Sequence, residues 1–362
     1  MKKILTVYTG GTICSSPEDG QRKLNSTIAK RALICNYAAS DSEYAPLTES
    51  LFADSGFDTE HQTLSENMTP ARLSCILNHI SGFSQKDYSG IIVMHGTDTL
   101  AYTAALFAFA FSNTGIPVML VSGNRPPMDE KSNANANFRT AVELIMKNIA
   151  PNVYVPYRNS DGNTYLHLAS TLMSCNNFSE DFFNASPDNV MLIKSDYSND
   201  YSCEASLFSH FAKLSSGRTS HDMASPSELS DRVPLIIPYT GLDYSLLAIP
   251  DNARAIVHGT YHSGTVCVER NNAAGSFSSH SILWLMDKCT AMNIPLIISP
   301  SCLDSDQYSS AYDAAAYADA IILNMTTEAA YMKTLWGISL NLTRDALTDY
   351  LNGNVNNEFI SR

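Results

Sequence analysis

The stretch Ile91-Ile-Val-Met94, His95-Gly-Thr-Asp-Thr99, Leu100-Ala-Tyr-Thr-Ala-Ala105 decides the fold. Its four leading residues are apolar and β-rich, the pattern of a strand buried on both faces of a parallel sheet. Small polar residues then stop the strand, and a helical pattern follows. The same grammar occurs at Ile4-Leu-Thr-Val-Tyr8, which stops at Thr9-Gly-Gly-Thr12, and at Val118-Met-Leu-Val121, which stops at Ser122-Gly-Asn124. Helical patterns over 71–81, 99–111 and 133–148 separate the strands. Strands alternating with helices predict a doubly wound α/β domain. Ligands of such sheets bind outside the carboxyl ends of the strands, the edge at which all three stops lie.

Further strands are predicted at Leu235-Ile-Ile-Pro238, Ala255-Ile-Val257, Leu296-Ile-Ile298 and Ala320-Ile-Ile-Leu323, with helices over 281–293 and 326–337. Between the two sets, residues 213–232 are rich in Ser, Pro and Gly without apolar period, and read as a linker. The expected organisation is therefore an N-terminal α/β domain over 1–212 carrying the site, the linker 213–232, and a smaller α/β domain over 233–362. A length of 362 residues agrees with about two domains.

Apolar residues make up 44% of the chain and charged residues 16%, and 23 basic against 36 acidic residues leave a net charge of −13. That balance argues against a nucleic-acid binder, which needs a basic face, and against docking on anionic lipid. No apolar run of about 18 residues predicts a membrane span. The apolar run after Met1-Lys-Lys3 is too short for a secretory h-region and reads as the first strand, so a cytoplasmic protein is expected. The eight cysteines are scattered with no C-x-x-C pair, which fits reduced thiols in a reducing compartment.

Two stops carry candidate chemistry. In Thr9-Gly-Gly-Thr12 the glycines let the backbone turn sharply, so that Thr12 could be an exposed nucleophile with amide donors beside it. The alternative is a tight turn with incidental threonines. In His95-Gly-Thr-Asp-Thr99, Asp98 or Thr99 could serve as a helix N-cap. Thr97 and Asp98, at the same sheet edge as Thr12, could instead form a hydroxyl–carboxylate pair. His95 is expected to pack beneath the edge, not to act as a base. No P-loop is present.

Together with Ser65-Glu-Asn-Met68-Thr-Pro, Asn137 and Ala141, and Met325-Thr-Thr-Glu328-Ala, these motifs resemble, in order, those of the bacterial-type L-asparaginase/glutaminase family. The chain looks most like the cytoplasmic type I members. The resemblance implies a large flavodoxin-like domain with a smaller C-terminal α/β domain. It also implies hydrolysis of the side-chain amide of L-asparagine through a threonine acyl-enzyme, without metal or organic cofactor. Thr12 would be the nucleophile. Thr97 and Asp98 would belong to a Thr–Lys–Asp unit, Asp98 also facing the substrate ammonium. Gly11, Ser65, Glu66, Gly96 and Asn124 would bind substrate, Ser65 at the α-carboxylate and the Asn124 carbonyl at the leaving amide. A homodimer or homotetramer with sites completed across subunits is implied too.

The departures from the pattern bear on the chemistry. No lysine lies between Lys147 and Lys194, and the family's lysine falls at Ser174. Serine supplies no cation. Lys23, on the loop after the first motif, is a candidate replacement, with Gln21 near the place of a family tyrosine. Lys131 and His167 are weaker candidates. Glu66 replaces a neutral residue and would repel an α-carboxylate or pair with an ammonium. The family's Gly-x-Gly-Asn appears as His262-Ser-Gly-Thr265. Two readings follow: an amidohydrolase of altered rate or preference, or a degenerate protein that only binds a small amino acid. A transamidosome-type subunit would need an added amino-terminal domain.

Overall fold

The computed structural model describes residues 1–193, 201–216, 225–270, 277–302, 308–317 and 320–360. The chain divides into two compact units, Met1–Met223 with Val355–Asn357, and Ala224–Asn354 with Glu358–Ile360. The first contains β1 (Lys3–Tyr8), β2 (Ser15–Glu18), β3 (Gln21–Leu24), α1 (Ser26–Ala38), α2 (Thr48–Leu51), β4 (Phe52–Asp54), α3 (Pro70–Ser81), β5 (Tyr88–Met94) and α4 (Leu100–Ala110). It continues through β6 (Val118–Val121), α5 (Ala134–Met146), β7 (Val153–Arg158), β8 (Thr164–Leu168), β9 (Val190–Ile193) and α6 (Tyr201–Ser216).

Its main sheet has the order β4-β1-β5-β6-β7-β8-β9. The first five strands are parallel, and β8 and β9 extend the sheet antiparallel. Set apart from the β2–β3 hairpin, the parallel strands follow the 2-1-3-4-5 succession of doubly wound flavodoxin-like sheets. The chain leaves β1 toward one edge and returns to its other side as β5. The topological switch point therefore lies between these two strands, where their carboxyl ends leave a crevice. The expected α/β class and the position of the three stops agree with this arrangement.

Burial follows the sequence pattern. Ile4, Leu5 and Val7 of β1 and Ile91 to Met94 of β5 are buried, as suits strands covered on both faces. Helix α4 is buried all round, including Leu100, Ala104, Phe107 and Ala108, and so behaves as an interior helix rather than a surface one. Helix α5 is amphipathic and packs Phe138, Ala141, Val142 and Ile145 into the core with Tyr154 and Leu166. In the antiparallel extension Leu166 and Leu168 alternate with Tyr165 and His167 at the spacing of two that a strand requires.

The second unit is built on a parallel sheet of β10 (Leu235–Ile236), β11 (Ile256–His258), β12 (Leu296–Ile298) and β13 (Ile321–Ile322), in that order. Its helices are α7 (Ile282–Ala291), α8 (Ser309–Ala316), α9 (Thr327–Ser339) and α10 (Arg344–Asn352). Ile236, Ile256, Ile282, Leu285, Met286 and Ile298 form its core. Inside this unit Lys333 is fully buried and donates to Glu358 and the Leu351 carbonyl.

The segment 213–232, expected as a linker, divides as follows among the described elements. Residues 213–216 are the last turn of α6, whose Leu207 and Phe211 are buried in the core of the first unit. Residues 217–224 lie outside the described residues, and 225–232 belong to the second unit. Near its end the chain rejoins the first unit, where Asn356 donates to the Ala108 carbonyl and to Asn152. The serine and proline content of 213–232 signalled weak apolar pattern but not where the helix stops.

Candidate active site

The site forms where β1 and β5 end. Thr9 closes β1 by donating its hydroxyl to the Met94 carbonyl at 2.7 Å and its amide to the same oxygen at 3.2 Å. The chain then turns through Gly10 (φ +126°) and Gly11 (φ +74°), backbone conformations that favour glycine. The Gly11 amide donates to the Thr63 carbonyl at 2.9 Å, and the Thr63 amide donates to the Thr9 carbonyl at 3.0 Å. This stitches the segment leading to Ser65 onto the turn.

The second reason for glycine is space. A Cβ on Gly11 would lie 2.2 Å from the Gly96 Cα, and one on Gly96 would lie 2.4 Å from the Ser65 Oγ. Three separate segments therefore meet backbone to backbone. Ser65, buried at the start of a short helical turn, donates its hydroxyl to the Asp98 carboxylate at 2.5 Å and accepts from the Asp98 amide at 3.3 Å. Thr99 donates its hydroxyl to the Ser65 carbonyl at 3.0 Å. Thr12 follows Gly11 directly, half-buried at the head of a short helical turn that extends to Cys14. No side-chain cap forms on Thr99 at the start of α4. Asp98 is thus engaged with Ser65 and exposed on its other side.

A cavity of about 400 Å³ opens beside this cluster. Of the residues singled out in the sequence, Thr97, Asp98 and Asn124 line it. Thr12, Gly11, Gly96 and Ser65 are not among its lining residues. Glu66 is exposed on the turn that begins at Ser65. Asn124 is held by reciprocal bonds with Asn133. The Asn124 amide donates to the Asn133 side chain at 2.9 Å, and the Asn133 amide donates to the Asn124 side chain at 3.1 Å. Its side-chain amide then donates to Glu180 at 2.7 Å.

The loop carrying Lys23 folds as an antiparallel hairpin of β2 and β3. Alternate residues of a strand point to opposite faces. Lys23 pairs with Asp19 at 3.5 Å on an exposed surface, whereas the neighbouring Arg22 donates to the Asn124 carbonyl at 3.1 Å. The cation that the hairpin brings to the site is therefore Arg22 rather than Lys23. Ser174 lies half-buried next to Cys175. Cys175, Tyr157 and Glu180, none of them singled out by sequence, also line the cavity. Burial pushes the Cys175 thiol up to about 12, with the carboxylates of Asp181 and Asp98 adding to the rise. It is therefore a neutral thiol near neutrality, not a thiolate nucleophile.

Two histidines considered in the sequence are buried and neutral. His95 donates from Nδ1 to the Gly96 carbonyl at 2.8 Å and accepts at Nε2 from the Thr103 hydroxyl at 3.0 Å, a pairing that one neutral tautomer satisfies. It thereby ties the Gly96 turn to α4. Burial lowers its pKa to about 4, against partial support from the Gly96 carbonyl and Asp98. His167, inside β8, is lowered by burial to about 3, which removes it as a base near neutrality. Between pH 6.5 and 4 the unfolded chain holds a proton that folded His95 does not. Stability from His95 is thus complete above pH 6.5 and is lost as pH falls toward 4. Urea titrations of wild type and His95→Gln over this range test this. The wild type should lose more stability by about 3 kcal/mol, the equivalent of a shift of that size; parallel pH profiles would refute the assignment.

Comparison with known proteins places the chain. Residues 3–200 match the family model described as Asparaginase, N-terminal. A stretch of 71 residues is 41% identical to the L-asparaginase of Thermococcus kodakarensis, covering 20% of this chain and 21% of that one. Over 308 residues the chain is 26% identical to a Glutamyl-tRNA(Gln) amidotransferase subunit of Thermoplasma volcanium, covering 83% of this chain and 69% of that one. The chain thus spans as little as about a fifth of the curated relatives it matches. The solved structure of the thermostable L-asparaginase from Thermococcus kodakarensis superposes with a TM-score of 0.67 at 21% identity, covering 99% of this chain and all of that one. With the family model matching more than half of its length, and its fold shared from end to end, the chain belongs to the asparaginase family.

Proposed function

We propose that this protein hydrolyses a primary amide, with L-asparagine as the reference substrate, through an acyl-enzyme on Thr12. The observation that supports it most is the backbone junction of Gly11, Gly96 and Ser65. It brings the Thr12 turn, the Thr97–Asp98 turn and a cavity to one sheet edge. In this reading the Thr12 oxygen attacks the amide carbon, the C–N bond breaks, and ammonia leaves with the proton surrendered by Thr12. Water then cleaves the ester, releasing a carboxylate and restoring the hydroxyl. Thr97 and Asp98 are the groups available to relay the proton. Ser65 orients Asp98, and Asn124 orients the amide end of the substrate.

The second reading, a binding protein without turnover, draws on one observation: the described residues lining the cavity include no lysine. A threonine hydroxyl is a weak nucleophile and depends on a positioned base, so low rates are expected from the amidohydrolase itself. Ammonia release separates the two. Thr12→Ala should abolish turnover while keeping ligand affinity, whereas wild-type turnover in that variant would remove Thr12 as nucleophile. Ser174→Lys should raise asparagine turnover by about 10²-fold or more, the size of one general acid–base group. An unchanged rate would place the missing function elsewhere.

We also propose that the chain works as a homodimer or homotetramer in a reducing compartment. The turn from Tyr261 to Thr265, closed by the Tyr261 amide donating to the Thr265 carbonyl at 3.0 Å, is where the family's cross-subunit motif falls. Among the described residues no helix is long and apolar enough to cross a membrane. Light scattering should give a multiple of the 39.6 kDa chain mass; a monomer at micromolar concentration would overturn the assembly.

A further inference from the structure

The walls of the cavity carry charge of one sign. Asp98 comes from the β5–α4 turn and Glu180 from the loop after β8, and no Lys, Arg or His is among the described lining residues. The nearest cation on the hairpin, Arg22, is engaged with the Asn124 carbonyl. A third carboxylate, Asp181, stands close enough to act on the same wall residues. Asp181 and Asp98 both raise the Cys175 thiol, and Glu180 and Asp181 both raise the Tyr157 phenol, in each case adding to burial.

Tyr157 supplies an independent mark of a ligand. It is fully buried, it lines the cavity, and its hydroxyl has no partner at hydrogen-bond distance; the Asn133 side chain beside it only eases the rise in its pKa. A buried hydroxyl without a partner is costly, and a polar group of a bound molecule would satisfy it.

We propose that the cavity takes a primary amide that ends in an ammonium group and carries no free carboxylate, with Asp98 and Glu180 receiving the cation. This rests on the amidohydrolase reading and names its substrate class. A zwitterion such as asparagine would bring its carboxylate against lining residues whose charges are negative, with the one nearby guanidinium, Arg22, held outside the lining at the Asn124 carbonyl. Deleting that carboxylate turns repulsion into net attraction. Hydrolysis of 3-aminopropionamide, which is asparagine without its carboxylate, consumes one water and yields 3-aminopropanoate and ammonia.

The test compares 3-aminopropionamide with L-asparagine on the full-length protein, in wild type and Glu180→Gln. Glu180 is exposed, so the variant should fold normally, and glutamine can still accept from Asn124. In wild type, kcat/KM for 3-aminopropionamide should exceed that for asparagine by about tenfold or more. In Glu180→Gln that ratio should fall by about three- to fivefold, the scale of one exposed charge pair. Equal or better use of asparagine, or a ratio unmoved by the variant, would overturn the assignment. If neither amide releases ammonia, the amidohydrolase reading fails on its own, and calorimetry of the same two ligands decides this one. Tighter binding of 3-aminopropionamide upholds it; equal, reversed or absent binding overturns it.

Discussion

The close approach of two turn backbones, Gly11 on Gly96, is the constraint on which the site depends. A single methyl at either position would occupy space already held by a neighbouring backbone or by Ser65. The contact is possible because the sheet switches direction between β1 and β5, so that the loops leaving these strands diverge and leave a crevice at their start. Everything chemical follows from that junction. Thr12 is one residue beyond it on one side, and Thr97 and Asp98 are one and two residues beyond it on the other. Ser65 fills the space that the missing side chains leave.

The scaffold beneath the junction is rigid in the sense that matters for positioning. β1 is buried from Ile4 and β5 from Gly90 to their carboxyl ends, α4 is an interior helix, and His95 bonds one turn to that helix with a tautomer fixed at both nitrogens. Groups held by buried strands and satisfied hydrogen bonds keep their geometry without reorganisation, which is the condition for electrostatic help in a reaction. The hairpin is different. It is exposed at its tip, and it meets the site through the Ser15 hydroxyl, which donates to the Gly11 carbonyl at 2.9 Å, and through the Arg22 guanidinium at the Asn124 carbonyl.

Much of this was legible in the sequence because it rests on short-range patterns. Apolar runs ending in Gly and Thr announced strands buried on both faces, and the ordered motifs identified the residues that meet at the edge. What was not legible depends on distant packing or on parity. Arg22, not Lys23, reaches the site because a strand alternates its faces, and only the hairpin register fixes which residue points inward. Tyr157, Cys175 and Glu180 become wall residues because β7 and the loop after β8 are folded against the β5–α4 turn, which no local pattern announces. The end of α6 was missed for the opposite reason: its buried Leu207 and Phe211 are too few to advertise a helix within a serine-rich run.

Among the described residues, the cavity wall carries two carboxylates, Asp98 and Glu180, and no lysine. Whether chemistry still runs through the threonine can be read from the protein itself. The most direct measurement is intact-mass and peptide mass spectrometry of protein quenched during turnover of a primary amide. An acyl adduct on the peptide containing Thr12 is the predicted result. Turnover with the adduct on Cys175, or with no adduct on the Thr12 peptide under conditions where deacylation is slowed, would contradict it.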